Sequence, residues 1–274
     1  MCELFAMSSR KPSALNYSLN EFSRRGGLTH KNKSGWGIAY FYDRDVFLVK
    51  EPLPASDSPL ASYIAADSRV SNCVIAHVRL ATVGEPSLKN THPFRFALAG
   101  QMHVFAHNGT LKGLKDDYAE QVLHYDPIGD TDSELAFCLL LDRMRPLWME
   151  HRDTVPQLRD RLAVFADFAA SMRPRGSANF LYGDGDVLFV HAHKRIYEEN
   201  GGFSEPRAPG LSIKNCVVCE PGPDYSCDGL RVEMTDHHTT LVASVPLDDT
   251  GWSPLPEGVT LAIRNGEEVA RITS

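Results

Sequence analysis

Cys2-Glu3-Leu4-Phe5-Ala6-Met7 begins the chain. How these residues are read decides the fold. Met1 to Arg10 lacks the basic segment and long apolar run of a signal peptide, so the stretch reads as part of the folded protein. Its apolar residues predict a strand at the very N-terminus. Pro12 to Arg25 then reads as a helix, with Pro12 suited to a first turn and Leu15, Leu19 and Phe22 at helical spacing. Gly26-Gly27 ends it.

Further along, Trp36 to Phe41 and Val46 to Val49 read as strands around Asp43-Arg44-Asp45, and Pro59 to Asp67 as a short helix. Cys73 to Val78 and His103 to Ala106 are short apolar runs of the kind buried on both faces. Ser133 to Met144 and Pro156 to Met172 carry helical periodicity. Phe180 to Tyr182 and Val187 to Val190 flank Gly183-Asp184-Gly185-Asp186, a hairpin pattern. Cys216 to Cys219, Thr239 to Ala243 and Val259 to Ile263 are further strands. Segments 203–210 and 220–229 read as surface loops. Strands, two central helices and strands again is not the alternation of a doubly wound sheet. Two facing antiparallel sheets covered by helices accommodate it, an α+β class.

The chain has 274 residues and a formal net charge of -7. That length buries a sizeable core. The acidic balance argues against general nucleic-acid binding, which needs a basic footprint. No apolar stretch is long enough to span a membrane. Six cysteines form no secreted framework, so a cytoplasmic protein with mostly free thiols is expected.

Cys2 is the first residue with chemical meaning. Methionine aminopeptidase removes Met1 where the next residue is small, which would leave a thiol and an α-amine on one residue. The α-amine titrates near 7.7–8.0, against about 8.5 for a thiol and about 10.4 for lysine. It can therefore act as the base for its own thiol. Alone, Cys2 reads first as a small buried residue beside the initiator.

Three other segments change that balance. In His77-Val78-Arg79-Leu80-Ala81-Thr82-Val83-Gly84, Arg79 follows a buried strand and offers a planar fork for a carboxylate; Thr82 and Gly84 can add hydrogen bonds. Otherwise Arg79 is a structural ion pair at a strand end. In His107-Asn108-Gly109, the Asn108 amide and the Gly109 N–H form an oxyanion hole, or the pair is an ordinary hairpin turn. In Thr131-Asp132-Ser133-Glu134, Thr131 and Glu134 make a capping box. Asp132 is left to hold a substrate ammonium or to favour the helix dipole. A cation for a carboxylate, an anion for an ammonium, an oxyanion hole and a thiol together describe a glutamine-shaped ligand.

The combination of Cys2, Arg79 to Gly84, Asn108-Gly109 and Asp132-Ser133-Glu134 resembles the class II glutamine amidotransferases. Asn90-Thr91-His92-Pro93-Phe94, Ala106-His107-Asn108-Gly109, Asn179 to Gly185 and Val242 to Leu247 are similar to the stand-alone YafJ-type branch. That branch is in turn similar to the ergothioneine-pathway γ-glutamyl hydrolases. The resemblance spans roughly residues 2 to 265. It implies a four-layer αββα Ntn-hydrolase sandwich and one domain over 1–274. It implies Cys2 as nucleophile and base, and Asn108 and Gly109 as the oxyanion hole. Arg79 with Thr82 would bind the α-carboxylate, and Asp132 the α-amine. Ser34-Gly35-Trp36-Gly37 also fits the family, as pocket lining without an assigned role.

No cofactor or metal is expected. The partner is a small molecule, glutamine or a γ-glutamyl amide. The ammonia either passes to a separate synthase subunit or is simply released, and a homo-oligomer stays open. Two other readings compete. Cys216-x-x-Cys219, Cys227 and His237-His238 carry zinc-ligand residue types, though the second pair is incomplete. A non-catalytic γ-glutamyl-binding module is the other. His77, His92, His103 and His107 are read as hydrogen-bonding residues framing the pocket.

Overall fold

The structure is a computed structural model. It describes residues 2–273 except 68, 82–83, 119–120, 122, 153, 200–201, 219–225, 228–229 and 232–236; side chains at 16–18, 217–218, 226–227, 230–231 and 237 are also left undescribed. From the N-terminus come β1 (Glu3–Ala14), α1 (Asn16–Arg25), β2 (Trp36–Tyr42), β3 (Asp45–Glu51), α2 (Pro59–Ala66) and β4 (Val70–Val78). Next are β5 (Phe94–Leu98), β6 (Gln101–Gly109), α3 (Leu114–Tyr118), α4 (Asp132–Glu150) and α5 (Leu158–Met172). The last third holds β7 (Ala178–Gly183), β8 (Leu188–His191), β9 (Glu198–Glu199), β10 (Gly202–Phe203), β11 (Ser212–Val218) and β12 (Ser226–Cys227). It closes with β13 (Leu230–Arg231), β14 (His237–Ala243), β15 (Trp252–Pro254), β16 (Val259–Arg264) and β17 (Glu267–Thr273).

Two antiparallel sheets dominate. One runs β15-β11-β14-β1-β4-β2-β3, with β12 and β13 attached to the β1 side; the other runs β17-β16-β8-β7-β6-β5. Period-two alternation sorts their residues into three apolar layers. Leu4, Ala6, Ile75, Val104, Ala106, Leu181, Leu261 and Ile263 fill the space between the sheets. The alternate residues Phe5, Met7, Val74 and Ala76 face Leu19, Phe22 and Ile64 of α1 and α2. On the other sheet, Phe105, Phe180, Tyr182 and Phe189 face Phe137, Phe165 and Phe168 of α4 and α5. Three apolar interfaces make four layers, an αββα sandwich. The central strands are buried on both faces, as in β7 and β8, which explains their continuous apolar runs. The aromatic layer is tight: Phe105 and Phe137 stack with ring centroids 5.3 Å apart. Each such side chain withdrawn from water contributes roughly 1.5–3 kcal/mol.

Several elements differ from expectation. β1 continues to Ala14, so Pro12 lies in a strand and the helix starts only at Asn16. The β1–β4 register shifts between Ser8 and Ser13, an irregularity that tolerates a residue with no N–H to give to the ladder. β5 and β17 were not expected. β17 has no buried residue and is exposed at five of its seven positions, as an edge strand is, and so lacks the apolar run that marks its neighbours. Asn108-Gly109 is the end of β6, paired with Asn179 and Ala178, not a turn.

Cys2, Cys73 and Cys138 are free thiols. Cys216 is disulfide-bonded. The expectation of mostly free thiols therefore does not extend to Cys216, and its sulfur is withdrawn from the zinc reading. Cys219 lies outside the described residues, as do the side chains of Cys227 and His237. Among the described residues no group of three or more His, Cys, Asp and Glu is placed to hold a metal ion. No described helix is long and apolar enough to cross a membrane.

Candidate active site

β1 is an interior strand, flanked by β4 and β14. Its first residue, Glu3, pairs with Val78, and Leu4 with His77. Cys2 therefore emerges where β4 ends at Val78, next to Arg79. The Leu80 N–H donates to Cys2 Sγ at 3.2 Å, and the thiol reaches the Leu80 carbonyl at 3.3 Å. Burial pushes the Cys2 thiol pKa up, opposed by the Leu80 N–H and the Arg79 guanidinium. A thiol in that state is protonated at neutral pH and needs a base beside it to become a nucleophile.

Glu3 anchors the residue after the thiol. It is 2 % exposed and accepts from Arg25 Nη1 at 3.2 Å and Asn32 Nδ2 at 3.3 Å. On the β2 side, Arg79 N–H donates to the Gly35 carbonyl at 2.8 Å, and Ser34 N–H to the Arg79 carbonyl at 2.9 Å. Ser34 Oγ also accepts from Ala81 N–H. This gives Ser34-Gly35 a role that sequence did not: it extends β2 past its end to fix the Arg79–Ala81 backbone. A Cβ on Gly37 would lie 2.3 Å from the His92 carbonyl, so close backbone approach requires glycine there.

The Arg79 side chain is 3 % exposed. Nη2 donates to the Gly84 carbonyl at 3.0 Å and Nη1 to that of Glu85 at 3.1 Å. Its guanidinium is thus held in place by the loop that follows it. Thr82 lies outside the described residues.

β6 delivers Asn108 and Gly109 to the same end of the sandwich. Asn108 Nδ2 donates one hydrogen to Ser244 Oγ at 3.0 Å, leaving a second amide hydrogen, since the group carries two. Ser244 Oγ accepts from Leu4 N–H as well, at 3.1 Å. Ser244 N–H returns to the Leu4 carbonyl. A Cβ on Gly109 would lie 1.8 Å from the Ser177 carbonyl, so only glycine fits. Asn179 joins this strand to the next wall: its Nδ2 donates to the carbonyls of Asn108 and Lys194, and its Oδ1 accepts from His193 N–H.

Beneath Gly109, Asp132 Oδ2 accepts from Leu111 N–H at 2.5 Å. Thr131 Oγ1 accepts from Glu134 N–H at 3.2 Å, as a cap should. The Glu134 carboxylate, however, reaches Gly129 N–H at 2.6 Å, so the reciprocal half of the expected capping box is spent on the preceding loop. His107 Nε2–H donates to the Ser177 carbonyl at 3.0 Å, so its neutral ring accepts from the Ser133 hydroxyl at Nδ1, 2.9 Å away. Burial holds the His107 pKa down, which favours that neutral state.

Cys2, Leu80, Asn108, Gly109 and Ser177 line one cleft of about 690 Å³. Arg79 and Asp132 are buried and are not among its lining residues. None of the four histidines lines it, and only His107 hydrogen-bonds a lining residue, Ser177. His77 and His92 stack on one another at 4.2 Å, and His103 packs edge-on against Trp148 in the aromatic layer. Sequence reasoning missed Ser244 and Asn179 as site residues, although both lie in segments that carried the family resemblance. A hydroxyl and an amide announce no chemistry until the fold shows what they bridge.

A cysteine at the start of an interior strand, opening on a cleft at one end of an αββα sandwich, defines an Ntn-type amidohydrolase. The family model "Glutamine amidotransferases class-II" matches residues 1–274. Escherichia coli (strain K12) YafJ is 34% identical over 271 residues, covering 98% of this chain and 100% of that one. The crystal structure of a predicted glutamine amidotransferase from Pseudomonas aeruginosa PA01 superposes with a TM-score of 0.68 at 29% identity, covering 98% of this chain and 100% of the other. The glutamine phosphoribosylpyrophosphate amidotransferase of B. subtilis shares the fold, with a TM-score of 0.60 at 15% identity over 99% of this chain and 49% of that one. The chain belongs to the class-II glutamine amidotransferases and is an enzyme of that Ntn-hydrolase family, whose chemistry in general is hydrolysis or transfer of the glutamine amide.

Proposed function

We propose that this chain cleaves the γ-amide of glutamine or of a γ-glutamyl compound through a thioester on Cys2. What carries the reading is the convergence of Cys2, Asn108 and Gly109 on one cleft, with the Arg79 charge acting on the thiol. Once Met1 is removed, the Cys2 amine takes the thiol proton. The thiolate attacks the γ-carbonyl carbon. The second Asn108 amide hydrogen and the Gly109 N–H hold the oxyanion, where such donors contribute about 2.7–4 kcal/mol each. The amine then gives its proton to the leaving nitrogen, and the C–N bond breaks to leave the γ-glutamyl thioester. Water, deprotonated by the same amine, attacks the thioester and releases glutamate and the Cys2 thiol.

Arg79 binds the substrate α-carboxylate with Thr82. Asp132 binds the α-ammonium while its other oxygen holds Leu111. The reading takes the chain as one amidotransferase domain acting in the cytoplasm without a cofactor. Released ammonia goes either to a separate synthase subunit or to solution.

Cys2→Ala should abolish glutamate release while leaving the circular-dichroism spectrum and Tm unchanged. Activity retained in that variant overturns the mechanism, as does a mature N-terminal peptide that keeps Met1.

A further inference from the structure

The cleft has room beyond the residues that surround Cys2. At about 690 Å³ it lies inside the ~300–1,000 Å³ range of sites that enclose drug-sized ligands. Its lining has a distinct chemistry. Lys112, Arg173, Arg175 and Lys194 belong to it, and among the described lining residues there is no Asp or Glu. The whole chain carries a net charge of -7, so this cationic wall runs against the overall balance. Arg175 is paired with Asp117 at 2.6 Å and Lys194 with Glu257 at 3.1 Å, acids that stand outside the lining. Among the described residues Lys112 has no acidic partner. Ile196 and Phe203 supply apolar surface beside these cations; Phe203, on the β9–β10 hairpin, is 60 % exposed.

We infer that the leaving-group half of the cleft is an anion subsite. Its ligand is an amine with an apolar body and a terminal carboxylate or phosphate, joined to the γ-glutamyl group. The inference rests on the proposed γ-glutamyl chemistry at Cys2 and names the substrate class of that same site. Cations on a low-dielectric wall attract an anion more strongly than the same groups in bulk water, and salt of about 0.1 M screens them over roughly 10 Å. Lys112 leads this attraction, because Arg175 and Lys194 are partly neutralised. Free glutamine has no group to reach this wall, so its turnover does not depend on it.

The test separates binding from chemistry. The Cys2→Ala protein is titrated calorimetrically with γ-glutamylphenylalanine, with the C-terminal amide of the same dipeptide, and with γ-glutamylphosphoethanolamine. An anion subsite makes the acid bind at least tenfold tighter than its amide, with the margin shrinking as salt rises. Tighter binding of the phenylalanine acid than of the phosphate marks a carboxylate ligand, and the reverse order a phosphate. Lys112→Met combined with Arg173→Met should erase the acid-over-amide ratio while glutamate release from glutamine, in a Cys2 background, stays within twofold. Because Arg173 follows directly on α5, Lys112→Met alone serves as a second variant and should cut the ratio at least threefold. Equal affinity for acid and amide, or a ratio that survives both substitutions, overturns the subsite. Failure of the wild type to release glutamate from any of these compounds or from glutamine would instead overturn the mechanism, leaving the titration to decide the subsite.

Discussion

Ser244 Oγ accepts one hydrogen from Asn108 Nδ2 at 3.0 Å and another from Leu4 N–H at 3.1 Å. One hydroxyl thus sets the distance between the proposed oxyanion donor and the strand that carries the proposed nucleophile. It touches neither substrate nor reacting atoms, so it acts as a positioning residue. In Ser244→Ala both donors lose their acceptor in a buried setting, which costs about 1–3 kcal/mol. Glutamate release should fall roughly tenfold in kcat, less than the ~10²–10³ of deleting an oxyanion donor outright. KM should change little. Ser244→Thr, which keeps the hydroxyl, should recover most of the rate. An unchanged kcat in Ser244→Ala would show that Asn108 is oriented by other contacts.

Gly109 faces the Ser177 carbonyl so closely that a methyl group has no room, and the same Cβ would lie 2.7 Å from His107 Nε2. Gly109→Ala must therefore displace the Ser177 backbone and break its bond from His107. A stability loss of about 1–3 kcal/mol is expected, as for other overpacked sites. Loss of glutamate release should accompany it. Urea melts and a glutamate assay on one preparation check both.

Much of this geometry could be read from sequence, but unevenly. Leu4, Ile75, Val104 and Leu261 sit in apolar runs that betray doubly buried strands, so the two facing sheets were expected. Asn108-Gly109 shows the limit. The pair favours a turn locally, yet β6 runs through it because Asn179 and Ala178 complete the ladder. Pro12 failed for a related reason, since a register shift between distant partners let a strand continue where local preference starts a helix. Arg79 and Asp132 were singled out for their charge. That they are buried and tethered to Gly84, Glu85 and Leu111 depends on loops whose course no periodicity encodes.

Buried histidines predict how stability responds to pH. Burial pulls the pKa of His77, His103 and His191 down to about 3, from an ordinary value near 6.5. The unfolded chain takes up these protons below about pH 6.5, while the folded chain resists until about pH 3. Stability is therefore fully present above pH 6.5 and lost as pH falls through that window. Each such group contributes a slope of about 1.4 kcal/mol per pH unit. Urea midpoints should drop markedly between pH 7 and pH 5.5. His103→Phe should flatten the slope, at a cost at neutral pH from the lost hydrogen bond with Tyr182, 2.6 Å away. A midpoint independent of pH across that range would contradict the buried neutral state.

Arg161 makes a prediction of the opposite kind, in which stability moves and turnover does not. Its side chain, 1 % exposed, bonds Asp184 at 2.5 Å and Asp186 at 2.6 Å. Asp184 is fully buried, and its other oxygen accepts from the N–H groups of Asp186 and Val187, closing the β7–β8 hairpin. Burial pushes the Asp184 pKa up, and the Arg161 charge opposes that rise. Arg161→Met removes the charge but keeps much of the stem, leaving a buried carboxylate without its counterion. Breaking a buried pair from one side costs about 3–5 kcal/mol. Asp184→Asn added to Arg161→Met should recover part of that loss, because the uncompensated charge is gone. Neither Asp184 nor Arg161 lines the proposed catalytic cleft, so glutamate release per folded molecule should match the wild type at a temperature where both are folded. Denaturant melts of the single and double variants, read beside their specific activities, distinguish this from a catalytic role for the hairpin.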